Sequence, residues 1–371
     1  MKNSVLLISG IYPPDTGGPA SFMEDFSQWV SHKNEKVSII TYTDGPSQTK
    51  YLDSIKICYV HRYKDLSKRY IYFVWTILRN YDSSVRVLAA GAFLEIMLAS
   101  LVRNIKYTIK IPGDIVWERA RNSKVTELNI YDFQNSTLKL RYRILRRLFT
   151  LSINRAKHVV VPSKVLQKLV RNWIGNRKPI DLIYNSIDPS KFSAANPVSK
   201  KFDLITACRL VPWKGVDELI QCCKDLNLTL GIAGEGPEDD RLKQLASKLG
   251  AAVTFLGQVP KEEMLEFYKS GEIFVLNSSY EGLPHALLEA KAIGLLCIGR
   301  LGTGSEEVIK HLEDGMLVSE EPGHNLKETL IKAISDPELV KRLRLNARDD
   351  VANRFNREDN FEEIYRILDR A

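Results

Sequence analysis

EIFVLNSSYEGLPHALLEAKAI, residues 272–293, reads as a strand, a turn and a helix in that order. Glu272 to Asn277 is an apolar run of strand length. Pro284 to Ile293 has helical composition, with Pro at the first helical position. The junction Gly282-Leu283-Pro284 is bracketed by Glu281 and Glu289. At such a junction the first backbone N–H groups lack internal partners and the helix dipole is positive, so phosphate is held well. Glu281 lies in the loop, and Glu289 lies about a turn and a half into the helix at ~3.6 residues per turn. The two carboxylates can therefore address different parts of one ligand, sugar hydroxyls for one and a ribose diol for the other. The plain alternative is an N-terminal Glu favoured by the dipole and a solvated Glu a turn later.

Outward from this stretch, strand-like and helix-like patterns alternate along the chain, which predicts an α/β protein with parallel sheets and helices on both faces. In the first half the strands read Ser4 to Ser9, Lys36 to Thr41, Val85 to Ala89, Lys106 to Ile111 and His158 to Val161. In the second they read Phe202 to Cys208, Leu228 to Ala233, Val253 to Leu256, Ile273 to Leu276 and Leu296 to Gly299. The strongest helical patterns of the first half are Ala20 to His32, Ala92 to Leu101 and Leu138 to Ile153. Two doubly wound domains are expected, residues 1–190 and 191–350, with a polar linker running to about Lys201. The tail from Asp336 is helical in composition, and a C-terminal helix, residues 351–371, is expected to pack back on the first domain. Ligands of such sheets sit at the carboxyl ends of the strands, so two such ends facing across a cleft would share one substrate.

With 371 residues the chain exceeds a usual single core. Its 44% hydrophobic and 26% charged residues are those of an ordinary globular protein, which excludes disorder. No apolar run approaches the ~20 residues of a membrane span, and the start of the chain leads straight into a strand, so a cytoplasmic protein is expected. Five cysteines without ligand spacing read as reduced thiols, and no metal is expected. The charge is unevenly placed. Residues 1–190 hold 29 Lys and Arg against 15 Asp and Glu, a net +14, whereas the remainder is −6 and the whole chain +8. The first half is thus drawn to something anionic, a phospholipid surface, a lipid-linked diphosphate or nucleic acid.

The chemistry-bearing residues fall at strand ends. Gly17 and Gly18 follow the first strand and precede a helix, without the GxGxxG spacing of a nicotinamide site. Arg209 and Lys214 flank Leu210-Val211-Pro212-Trp213 after Phe202 to Cys208, where a planar fork and a point charge can neutralise a diphosphate. Gly234, Glu235 and Gly236 end the next strand, leaving room for a base or ribose or merely shaping a turn. Gly302 to Glu307 repeats the pattern with Ser305 as a helix cap. Asp114, after Pro112-Gly113, reads equally as an acceptor-side proton acceptor or as a capping aspartate. Arg141, Arg143, Arg146 and Arg147 lie among Leu and Ile in a segment suited either to an anionic bilayer or to a core helix, and Lys68 to Trp75 has the same character.

Taken together, these blocks resemble the GT-B glycosyltransferases of family 4, retaining enzymes that use nucleotide-activated sugars. The matching stretches are Pro13 to Gly18, Asn185 to Asp188, Arg209 through Val216, Gly234 to Pro237, Glu281 to Pro284 with Glu289-Ala290, and Asp314 to Val318, in the family's order. The resemblance implies two Rossmann-like domains facing across a cleft. It places Glu281 by the donor sugar, Glu289 on the ribose, Arg209 and Lys214 on the diphosphate, and Gly282, Leu283 and Pro284 at the helix start beside the donor. Gly18 would meet the phosphate from the other domain. The chemistry implied is metal-independent, with the nucleotide diphosphate sugar as co-substrate. The chain departs from the family at two points, lacking a histidine near Asp114 and carrying Ser186 where Gly is usual.

The expected reaction is transfer of a sugar to an acceptor hydroxyl with retention. A lipid-linked saccharide of bacterial surface polysaccharide synthesis is the expected acceptor, and the protein would sit peripherally on the inner face of the plasma membrane. The rival readings are a sugar-nucleotide epimerase of the same fold and a non-catalytic membrane-anchoring subunit. Nucleic acid is not expected as a partner, since the basic half carries no recognition motif.

Overall fold

The computed structural model describes residues 4–15, 17–188 and 200–370. The chain forms two compact units. The first gathers the residues up to Glu127, Asp132–Tyr184 and the chain from Glu358 onward; the second gathers Leu128–Tyr131 and Asn185–Arg357. The boundaries expected at 190 and 350 thus fall at 184 and 357, and most of the expected linker lies outside the described residues.

Among the described residues the first unit holds an eight-stranded sheet. Its strands are β1 (Ser4–Ile8), β2 (Lys36–Thr43), β3 (Gln48–Leu52), β4 (Ile55–His61), β5 (Arg86–Ala89), β6 (Thr108–Lys110), β7 (His158–Val161) and β8 (Asp181–Leu182), in the order β3-β4-β2-β1-β5-β6-β7-β8. All pairs are parallel except β3 with β4, an edge hairpin turned at Asp53 that the alternating pattern of Ile55–His61 permits but the sequence reading passed over. The second sheet comprises β9 (Phe202–Ala207), β10 (Leu230–Ala233), β11 (Val253–Gly257), β12 (Gly271–Leu276), β13 (Leu296–Arg300) and β14 (Met316–Val318), ordered β11-β10-β9-β12-β13-β14 and parallel throughout. Central strands such as Leu230–Ala233 are buried on both faces, which is why they read as continuous apolar runs instead of alternating.

In each sheet the chain winds outward from one strand and then returns to that strand's other side, at β1/β5 and at β9/β12. These are the switch points where the loops at the carboxyl ends diverge and leave a crevice. Each unit has a core of its own, one around Leu7, Phe26 and Ile39, the other around Leu204, Ile220 and Val275.

The tail divides. Helix Pro337–Arg354 packs on helix His285–Ile293 in the second unit, so only the last helix, Arg357–Asp369, belongs to the first. That helix buries Phe361, Ile364, Ile367 and Leu368, one apolar stripe at helical spacing. Phe361 meets Phe22 and Phe26 edge-on, and Glu358 accepts a 2.7 Å hydrogen bond from the Trp29 indole.

Candidate active site

The second sheet brings together most of the residues selected from sequence. Because β9 lies between β10 and β12 and all three are parallel, the loops carrying Arg209 and Lys214, Gly234 to Gly236, and Glu281 emerge side by side at one edge. After β9 the chain makes one turn of 3₁₀ helix, Pro212–Lys214, and enters helix Val216–Leu226 through Gly215 in the left-handed conformation. A side chain at Gly215 would lie 2.6 Å from the Asn277 carbonyl oxygen, so this crossing requires glycine. The turn aims Lys214 at the neighbouring loop, where its ammonium pairs with Glu281 at 2.5 Å, both side chains largely buried. Arg209 is exposed, and its guanidinium makes no ion pair with any described residue.

The helix after Glu281 is His285–Ile293, with Pro284 just outside it instead of in its first turn, and no side chain caps this end among the described residues. Its opening N–H groups have no partner within the helix, an arrangement suited to an anion. Gly282, Leu283 and Pro284 form the approach, with the Leu283 carbonyl accepting from the Asn185 amide at 3.0 Å. Glu289 is the helix's fifth residue, and its Oε2 accepts a 2.7 Å hydrogen bond from the buried Tyr268 hydroxyl. Burial and the adjacent carboxylate together hold that hydroxyl far above the usual tyrosine range, so it stays a donor.

Several sequence assignments change. Gly234 and Gly236 do not open room for a ligand, because the space a side chain would occupy holds the carbonyls of Cys208 and Leu210 respectively. These glycines let the β10 loop press against the loop bearing Arg209, and the Glu235 carbonyl fixes it by accepting from Leu210 N at 3.0 Å. The Glu235 side chain is exposed and accepts from Gln258 N. Gly304 likewise fits against the Glu281 and Gly282 carbonyls, so this glycine loop buttresses the Glu281 turn. Ser305 is not the cap there; Thr303 Oγ1 accepts from Ser305 N at 3.1 Å.

Gly234→Ala should consequently shift the Arg209 and Lys214 loop. The expected loss in turnover is on the order of tenfold to a hundredfold with the protein still folded, read from steady-state rates alongside circular dichroism. A wild-type rate would show that the loop contact is dispensable.

In the first unit Asp114 is completely buried and caps helix Ile115–Asn122, accepting from Val116 N and Trp117 N. Its other oxygen accepts from Gln134 and from Arg146, at 3.0 and 2.9 Å. A carboxylate so enclosed cannot reach an acceptor hydroxyl, so Asp114 leaves the catalytic set. Arg146 is corrected with it. Its guanidinium is turned inward onto Asp114 and Gln134 and stacks near Trp173, 5.2 Å from the ring centroid, and burial lowers its pKa. Arg141, Arg143 and Arg147 remain on the surface. Gly17 precedes helix Gly18–His32 with φ 140°, and its carbonyl accepts from Ala20 N and Ser21 N. Since Pro19 has no N–H, at most Gly17 and Gly18 can offer theirs to a ligand.

Three features escaped the sequence reading. Asn277 bridges the Gly215 carbonyl and Glu218 and is itself held by Arg300, which pairs with Glu218 at 2.7 Å. Tyr268 orients Glu289 from a helix with no motif of its own. Gly91 packs against Gly10 at the first sheet's switch point, its only signal being a glycine at a strand end.

Residues 188–350 match the family model described as glycosyl transferases group 1, somewhat under half of the chain. An uncharacterized glycosyltransferase of Methanocaldococcus jannaschii is 25% identical across 100% of this chain and 99% of its own length. The chain is a glycosyltransferase. The GDP-mannose-dependent monoacylated alpha-(1-6)-phosphatidylinositol monomannoside mannosyltransferase of Corynebacterium glutamicum is 22% identical to this glycosyltransferase over 91% of the chain and 90% of its own length. The fold is GT-B: Anabaena HepE, solved in complex with UDP-glucose, superposes with a TM-score of 0.78 at 16% identity, over 99% of this glycosyltransferase and 100% of HepE.

All five cysteines of the glycosyltransferase are free thiols, and burial pushes the Cys297 thiol up to about 12, which leaves it unreactive. Among the described residues no helix is long and apolar enough to cross a membrane.

Proposed function

We propose that the protein transfers a sugar from a nucleotide diphosphate sugar to an acceptor hydroxyl, with retention at the anomeric carbon and without a metal ion. The reading rests on one observation. At the β9/β12 switch point the Lys214–Glu281 pair, the outward-facing Arg209 and the start of helix His285–Ile293 occupy adjacent loops. As the bond from the anomeric carbon to the diphosphate oxygen breaks, negative charge collects on that oxygen. Lys214, Arg209 and the first N–H groups of helix His285–Ile293 meet it, supplying the stabilisation a metal would otherwise provide. The bond from the acceptor oxygen to the anomeric carbon forms on the same face, and the departing phosphate takes the acceptor's proton. No protein nucleophile is required. Glu281 accepts hydrogen bonds from the sugar, and Glu289, oriented by Tyr268, accepts from the ribose diol. The UDP-glucose complex of HepE and the name of the Corynebacterium relative support a nucleotide sugar donor and a lipid-borne acceptor. The acceptor proposed is a lipid-linked saccharide of surface polysaccharide synthesis, reached by peripheral attachment to an anionic membrane.

A screen of UDP-, GDP- and ADP-sugars, following nucleotide release with and without a polyprenyl diphosphate saccharide, tests this. Acceptor-dependent release, unchanged by EDTA and yielding a product of retained configuration by NMR, is expected. Donor isomerised without acceptor would instead establish an epimerase. Glu289→Ala should weaken nucleotide binding by about tenfold to a hundredfold, the worth of a hydrogen bond to a charged group. Unchanged affinity by calorimetry would detach Glu289 from the ribose.

A further inference from the structure

We infer that three neighbouring helices of the first unit, Leu66–Asn80, Phe93–Arg103 and Leu140–Arg155, form one face that docks on an anionic phospholipid bilayer and inserts apolar side chains into it. The helices pack side by side, the middle one against both others. On the first, Lys68, Tyr72, Trp75 and Arg79 follow helical spacing along the outer side, and Trp75 is 54% exposed. The middle helix presents Leu98, Leu101 and Val102, the last 71% exposed. On the third, Leu140, Ile144, Arg147 and Leu151 lie in line, with Arg143 beside them. Among the described residues, more than half of the exposed large apolar side chains stand on these helices.

Charge selects the occupant. The only carboxylate on the three helices is Glu95, which is buried and accepts a 2.7 Å hydrogen bond from the Tyr42 hydroxyl. The outer face thus carries cations and apolar groups with no acid, which complements anionic headgroups lying over hydrocarbon. The middle helix exposes Leu98, Leu101 and Val102 with a single cation, Arg103, at its end, so it carries no basic run to mark it in the sequence, and the inward turn of Arg146 removes one of the four arginines selected on the third helix. The inference rests on the proposed membrane-side acceptor for its purpose.

The test is co-sedimentation of the full chain with phosphatidylcholine vesicles, with and without about a third phosphatidylglycerol. Binding that depends on phosphatidylglycerol is expected. Lys68→Gln/Arg143→Gln/Arg147→Gln should weaken it about a hundredfold and Trp75→Ser/Leu101→Ser/Val102→Ser at least tenfold, both with wild-type circular dichroism and unaltered turnover of a soluble acceptor analogue. Equal binding to neutral vesicles, wild-type pelleting by either variant, or gel filtration showing that the apolar variant dissociates a dimer that does not bind vesicles would overturn the proposal. Nucleotide release in solution needs no vesicles, so such a failure leaves sugar transfer standing.

Discussion

Lys214→Ala should lower kcat by about two to three orders of magnitude, the loss seen when one preorganised charge facing a leaving group is removed. The structure gives a reason for a large effect. Lys214 is pinned by Glu281 at 2.5 Å on a turn that only glycine at position 215 permits, so its position is set before any ligand arrives. Removing the ammonium also strands the Glu281 carboxylate, with 12% of its side chain exposed, beside the proposed position of the diphosphate. Arg209→Ala should cost about a hundredfold for a different reason, since Arg209 is exposed and its charge is not offset by a described carboxylate. In a cycle of Lys214→Ala, Glu281→Gln and the double variant, the losses should fall well short of additive, because the pair acts as a unit. Single-turnover nucleotide release is the measurement. A near-normal rate for Lys214→Ala would separate the pair from the reaction.

Lys291→Met should destabilise the second unit by about 3–5 kcal/mol, the cost of stranding buried carboxylates. Lys291 is fully buried in the same helix as Glu289 and meets Asp314 at 2.9 Å and Asp350 at 2.7 Å, while also donating to the Val308 carbonyl. One ammonium thereby ties the helix to the β13–β14 connection and to helix Pro337–Arg354. Burial would raise the Asp350 carboxyl, but Lys291, with further help from Lys310 and Arg354, holds it below the usual aspartate range. A carboxyl lowered in this way favours the folded state at neutral pH. Its contribution fades as pH falls below about 4 toward the folded value. Urea denaturation at neutral pH, followed by fluorescence with Trp213 reporting the second unit, should show the midpoint fall in the variant. Adding Asp314→Asn and Asp350→Asn should recover part of it. An unmoved midpoint would mean that the triad carries no net stability.

Periodicity and punctuation made most of this protein legible. Runs such as Ser4–Ile8 and Leu230–Ala233 are buried on both faces, so their apolar continuity identified strands of parallel sheets, and the residues at their carboxyl ends marked the candidate site. Glu281, Arg209 and Lys214 were readable because chemistry at a strand end is local in sequence. The β3–β4 hairpin escaped because an edge addition obeys no alternation of strand with helix.

The amino-acid sequence by itself determined the two-unit α/β architecture, the excess of positive charge in the first half and the set of residues that converge on the second sheet's switch point. Tertiary structure alone decided what each polar group faces. It turned Asp114 and Arg146 toward one another inside the first unit, gave Gly234 and Gly236 to loop packing, supplied Tyr268 and Asn277, and joined three helices into one cationic and apolar face. Whether a charge or a glycine meets water, a ligand or another loop depends on neighbours brought close by long-range packing, and spacing along the chain carries no record of them.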